Sequence, residues 1–177
     1  LYKLNFYRAF SQLNCICSHL DFFSRTENLK KKILQQDIIF VGGGNTKSML
    51  AVWRDWGLDE ILRKGYRSGI IMSGVSAGAI CWFQSGVTDS FAENLEIINC
   101  LSFVNGIACP HFDEEIERSP YVKSLLKDDI VDSCICIEGN SALHIKNENE
   151  MKSVNFGIDK KSFLFYNDNG KLLKKYF

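Results

Sequence analysis

Proline is nearly absent, with two in 177 residues, and Lys, Asp, Asn or Gly interrupts every apolar run. None of those runs approaches the about 18 to 20 residues that would cross a bilayer, so no membrane partner is expected. Net charge is missing as well, because 21 Lys+Arg stand against 21 Asp+Glu. A chain without a basic field has nothing to displace the counterions of a nucleic acid, and nucleic-acid binding is not expected. The seven Cys include no C-x-x-C pair. Their odd, scattered count argues against a disulfide framework and for free thiols in a reducing cytoplasm. Zinc-type His and Cys spacings are lacking too, so neither a metal nor a cofactor is expected. Leu1-Tyr2-Lys3 opens no secretory signal, and without an initiating Met the chain is expected to have lost an N-terminal piece.

What is present suits one compact domain over residues 1–177, at 46% hydrophobic and 12% aromatic residues. Helical-period stretches alternate with short apolar runs bounded by Gly, Asn or Asp, which is the α/β pattern. Helices are expected over residues 2–13, 26–36 (capped by Thr26), 46–66 with a break near Trp56-Gly57, 77–83 and 113–128, the last of them exposed. Strands are expected over 15–22, 37–41, 69–73, 103–109, 133–137, 142–145, 151–154 and 162–166, with irregular loop over 84–102. Cys134 and Cys136, two apart in a strand, would share one buried face, as would Cys15 and Cys17. The expected architecture is a three-layer, doubly wound, mostly parallel sheet with antiparallel hairpin strands at one edge.

Gly74-Val75-Ser76-Ala77-Gly78 is a G-x-S-x-G pattern between an apolar strand and a helix-forming stretch. A sharp strand-to-helix turn holds a nucleophilic serine in a strained conformation and needs small residues on either side. Ala77 N–H, at the start of the following helix, can stabilise an oxyanion. Gly42-Gly43-Gly44-Asn45 ends the preceding strand, and it is neither a P-loop nor a dinucleotide fingerprint. Gly43 or Gly44 is therefore read as a second oxyanion donor, with Asn45 or Thr46 as a cap.

A serine needs a base, and the choices are His19, His111 and His144. His111 follows a strand in Cys109-Pro110-His111-Phe112, at the carboxyl end where such folds open their crevice, and is preferred. His19 and His144 read better as packed strand histidines. Glu138, also at a strand's carboxyl end, is the chosen acid, and Asp89 and Asp113 compete. An α/β-hydrolase ordering would instead use Ser76, then Asp113 or Asp132, then His144.

These residues resemble the peptidase E family, serine dipeptidases specific for N-terminal aspartate, together with their bacterial peptidase E-like relatives. The likeness rests on Phe40-Val41-Gly42-Gly43-Gly44-Asn45-Thr46, Gly74-Val75-Ser76-Ala77-Gly78-Ala79, Asp89, Pro110-His111-Phe112 and Glu138-Gly139-Asn140, and runs from about Cys15 to Leu143. It implies a fold close to class I glutamine amidotransferases, with Ser76, His111 and Glu138 as the triad and a short peptide as substrate. It also implies that the family's first strand is missing here. Asn45, Asp89 and Arg118 are the candidate substrate contacts, Arg118 being the nearest cation for an aspartyl side chain. An exposed helix arginine paired with Glu114 is an equal reading of Arg118. A serine esterase or amidase, a catalytically silent binding module and a homodimer all stay open.

Overall fold

A computed structural model of the chain describes residues 2–22, 24, 25, 28–92 and 94–177. Helix α1 (Tyr2–Phe10) lies across β1 (Ile38–Val41), with the rings of Phe6 and Phe10 6.0 and 5.6 Å from that of Phe40. Residues 15–22 form no strand: Ile16 is 99% exposed and tight turns at Leu13 and Cys15 lead out of the helix. The apolar spacing there lacks a neighbouring ladder to pair with. Thr26 lies outside the described residues. Helix α2 (Leu29–Leu34) is capped by Asn28, whose side chain accepts from Lys31 N at 3.0 Å.

β1 pairs in parallel with β2 (Ile71–Gly74), Val41 opposite Gly74, and the break foreseen near Trp56-Gly57 separates α3 (Thr46–Asp55) from α4 (Leu58–Arg67). Gly57 takes φ 63 at that break, a conformation that costs glycine little. Ile39, Val41 and Met72 face a core of Leu50, Trp53, Leu62 and Trp82, whereas Ile38 and Ile71 are each 59% exposed. β1 thus turns Ile39 and Val41 to the core, while its Ile38 and Phe40 face is covered only in part, by α1.

The main sheet has six strands in the order β10-β9-β6-β5-β3-β4. Its members are β3 (Phe83–Thr88), β4 (Glu96–Asn99), β5 (Val104–Cys109), β6 (Ser133–Ile137), β9 (Ser162–Asp168) and β10 (Lys171–Tyr176). The pairs β3/β5 and β5/β6 are parallel, while β3/β4, β6/β9 and β9/β10 are antiparallel. The sheet is therefore mixed, with antiparallel strands at both edges. That corrects the expectation of a mostly parallel sheet with hairpins at one edge.

The segment 84–102, expected as loop, supplies β3 and β4. Phe83-Gln84-Ser85-Gly86-Val87-Thr88 hides its strand character because it is buried on both faces and carries a glycine where a side chain would collide with Ile80. Helix α5 (Ala77–Ile80) presents that Ile80. Helix α6 (Arg118–Lys127) begins five residues later than expected, which keeps Pro120 in its first turn, where no backbone N–H is needed. Nor is α6 an exposed helix: Arg118, Val122, Leu125 and Leu126 are buried.

Alternate residues of β6 serve opposite faces of the sheet. Cys134 and Cys136 join Val122 and Leu126 of α6, while Ile135 joins Ile80 of α5 and Leu143 and Met151 of a hairpin. That hairpin is β7 (Ser141–Lys146) with β8 (Glu150–Asn155). Helix and hairpin thus cover the two faces of the mixed sheet. No helix among the described residues is long and apolar enough to cross a membrane.

Candidate active site

Ser76 sits between β2 and α5 with φ 57 and ψ −121, outside the regions that L-residues favour. Such a conformation costs of order 1–3 kcal/mol and persists only where its surroundings enforce it. The enforcement is visible at both flanking glycines. A methyl group on Gly74 would overlap Gly78 O, and one on Gly78 would overlap Val41 O and stand 2.7 Å from Gly42 O. Val75 N donates to Val41 O at 3.0 Å, and Ala79 N to Ser76 O at 2.9 Å, so strand, elbow and helix are tied into one unit.

The Gly42–Gly44 loop lies alongside. A methyl group on Gly43 would come within 3.1 Å of Ser76 Cβ and would overlap the Tyr2 hydroxyl, so the Tyr2 ring reaches the loop close to the serine. Among the described residues, the N–H groups of Gly43, Gly44 and Ala77 donate to no protein acceptor.

Asn45 caps α3 by accepting from Ser48 N at 2.8 Å, and its amide donates to Ser90 O at 3.2 Å. Thr46 N donates to Ser90 Oγ at 2.7 Å, and that hydroxyl lies 2.8 Å from Thr88 Oγ1. The carboxyl ends of β1 and β3 are thereby stitched together, bringing Asp89 beside the glycine loop with its side chain 72% exposed. Asn45 is a cap and a tie between loops.

Arg118 is not the exposed helix arginine of one of its two readings. Its side chain is 3% exposed, with Nε on Glu115 Oε2 at 2.5 Å, Nη1 donating to Val87 O at 3.0 Å and Nη2 4.0 Å from Asp89 Oδ1. It is neither exposed nor paired with Glu114, and it braces α6 against β3.

His111 follows β5 with φ 52 and is 27% exposed. Phe112 N donates to Ile137 O at 3.1 Å and Gly139 N to Asp113 Oδ1 at 2.7 Å, which locks the His111 loop onto the Glu138-Gly139 turn. The structure thus joins the loops of His111 and Glu138 but not their side chains. Glu138 Oε2 accepts from Lys161 N at 3.0 Å, and the carboxylate on the imidazole is Glu114, 2.7 Å from Nδ1. Among the described residues, no hydrogen bond links Ser76 Oγ to His111.

Asp113 also pairs with the Lys160 ammonium. Partial burial works to raise its carboxyl, but Lys160 and the Gly139 N–H outweigh this and hold it below its ordinary value. The same pair raises the Lys160 ammonium. Of the other histidines, His144 is exposed on β7 and not packed as expected. His19 lies in a loop, where Nδ1 is 2.9 Å from the Tyr7 hydroxyl. Among the described residues, no cluster of three or more His, Cys, Asp or Glu is placed to hold a metal.

A strained serine between glycines that admit no side chain thus stands beside a glycine loop. The model of peptidase family S51 matches residues 1–152. The chain belongs to that family. It is 41% identical over 154 residues to the uncharacterized peptidase YgaJ of Bacillus subtilis, covering 86% of this chain and 66% of that protein. An uncharacterized peptidase of Listeria monocytogenes EGD-e is 29% identical over 115 residues, 60% of this chain and 55% of that one. The chain thus spans less than two thirds of the length of these S51 relatives.

Two solved structures share the fold. One, from Listeria monocytogenes EGD-e and named as a candidate peptidase E, aligns at TM-score 0.57 and 20% identity over 73% of this chain and 64% of that one. The other, a peptidase from an acI-B1 actinobacterium, aligns at TM-score 0.58 and 16% identity over 84% and 63%. Both place this member of the family in an α/β class with a mixed sheet and flanking helices.

Proposed function

We propose that this S51 chain carries the active site of a serine-type peptidase that hydrolyses short peptides by acyl transfer. Ser76 Oγ attacks the scissile carbonyl while the Nε2 lone pair of His111 takes its proton. A carboxylate from the abutting loops at residues 113–114 and 138 accepts from Nδ1 and holds the tautomer. The free N–H groups of Gly43 or Gly44 and of Ala77 stabilise the oxyanion. His111 then returns the proton to the leaving amine, and water releases the acyl group. Substrate is expected to enter between the loops at Asn45 and Asp89. The observation that carries this reading is the φ 57, ψ −121 conformation of Ser76, because strain of this kind is retained where it orients a nucleophile.

The same reading takes residues 1–177 as one domain of the class I glutamine amidotransferase-like type. Preference for N-terminal aspartate belongs to the same reading, with Arg118 as the candidate cation, buried and with Nε and Nη1 engaged by Glu115 and Val87 O. A panel of Asp-X dipeptides, other short peptides and simple esters, assayed with the purified protein, tests it. Peptides should be cleaved by wild type and not by Ser76→Ala. Equal cleavage by both would overturn the proposal, and turnover of esters alone would reassign the site to an esterase.

A further inference from the structure

We infer that Cys15 and Cys17 form a reversible disulfide, a surface dithiol site that small-molecule disulfides oxidise. Both thiols were expected on one buried strand face. Residues 15–22 pair with no strand, however, and the segment carries the two side chains outward. Cys15 is exposed, Cys17 is partly so, and Ile16 between them is 99% exposed. The other five cysteines are buried, which leaves this pair as the one that a solute can reach.

The local fold brings the sulfurs together. In a regular strand, side chains two residues apart stand about 6.6 Å from one another along the chain. Here Cys15 Sγ and Cys17 Sγ are 3.7 Å apart, because Cys15 N donates to Leu13 O at 2.8 Å and turns the chain at that point. The segment is held on either side of the pair by α1, through Cys15 Sγ on Phe10 O at 3.2 Å and His19 Nδ1 at 2.9 Å from the Tyr7 hydroxyl. A disulfide needs the sulfurs at about 2.05 Å, a closure that side-chain rotation in an exposed segment supplies without disturbing the core. With the Cys15 thiol donating to Phe10 O, the hydrogen between the sulfurs comes from Cys17. Desolvation and that bond hold the Cys17 thiol above its ordinary range. Cys15 is therefore the attacking residue and Cys17 the resolving one. The Cys15 thiol gives its proton to water, and its thiolate attacks a sulfur of the small disulfide and expels one thiolate. Cys17 then loses its proton and attacks Cys15 Sγ, expelling the second. The protein gives up two hydrogens and the small disulfide is reduced to two thiols. A bond this exposed is of the labile kind that the surrounding thiol pool reverses.

The test treats the native protein with oxidised glutathione and reads intact mass and peptide maps. Wild type should lose the mass of two hydrogens, located to a Cys15–Cys17 link, retain no glutathione, and return to its starting mass with dithiothreitol. Iodoacetamide should then label neither cysteine of the oxidised protein. Cys17→Ser should stop at a glutathione adduct on Cys15, and Cys15→Ser should react roughly tenfold or more slowly, as expected when the remaining thiol is the poorer thiolate. Ser76→Ala should behave as wild type, so the outcome stands apart from the peptidase reading. Wild type that keeps glutathione on either cysteine, or that forms the link only after unfolding in urea, would overturn the inference.

Discussion

Replacing Ser76 by glycine should stabilise this protein while abolishing its reaction. The residue's φ of 57 and ψ of −121 lie in a region that glycine enters freely and serine does not. Relief of that strain is worth about 1–3 kcal/mol. Against it stands the greater freedom of glycine in the unfolded chain, about 0.5–1 kcal/mol. The Ser76 hydroxyl makes no capping bond to α5, so removing it loses little else. The net expectation is a gain of about 1 kcal/mol, equivalent to roughly 2–4 °C in Tm for a domain of this size. Ser76→Ala is the reference, because alanine keeps the Cβ and therefore the strain. Urea titration of the three proteins, at constant m-value, reads the difference directly. Should Ser76→Gly prove less stable than Ser76→Ala, the elbow is not strained and the main argument for a nucleophile at this position fails.

Gly78→Ala should do the reverse, since its methyl group would overlap Val41 O and force the glycine loop away from the elbow. Overpacking of this kind costs about 1–3 kcal/mol, and a displacement near 1 Å costs roughly 100-fold in rate; urea titration and peptide turnover measure the two effects. Iodoacetamide on the native protein should label Cys15 and Cys17 and spare the other five thiols, which are buried. Burial pushes Cys100 up to about 12 and holds Cys81, Cys109 and Cys136 higher than ordinary thiols, so peptide mapping that finds any of these alkylated before unfolding would contradict the packing.

The Asp113–Lys160 pair predicts a pH dependence. Asp113 is held below its ordinary 3.8, so its contribution is present above that value and is lost as pH falls through the lower folded value. Lys160 is held above its ordinary 10.5, so its contribution is complete below that pH and is lost as pH rises through the folded value. Between pH 5 and pH 2 wild type should therefore lose more stability than Asp113→Asn, and equal losses would rule the pair out as a clamp on the His111 loop.

The elbow and the glycine loop were readable in the sequence because each joins a continuous apolar strand to a helix through glycines that the geometry requires. The loops of His111 and Glu138 were readable as strand ends. The segment 84–102 was not, because β3 is buried on both faces and so shows no alternation, and Gly86 is there to clear Ile80. Residues 15–22 misled in the opposite direction, with an apolar spacing that finds no neighbour to pair with. β10 went unread, since Lys171-Leu172-Leu173-Lys174-Lys175-Tyr176 breaks the period-two pattern. At the site, the sequence presented Asp89, Asp113, Glu114, Glu115 and Glu138 without saying which carboxylate meets which cation or ring. That choice depends on the φ of His111 and on the room that Gly139 leaves for the Glu114 side chain, neither of which a one-dimensional pattern contains.

Fluorophosphonate labelling of the native protein, with the adduct located by peptide mass spectrometry, tests the central claim most directly. The account predicts one adduct, on Ser76, formed rapidly by wild type, slowly by His111→Gln and not at all by Ser76→Ala. A folded wild-type protein that stays unlabelled, or one modified at another serine, would contradict it.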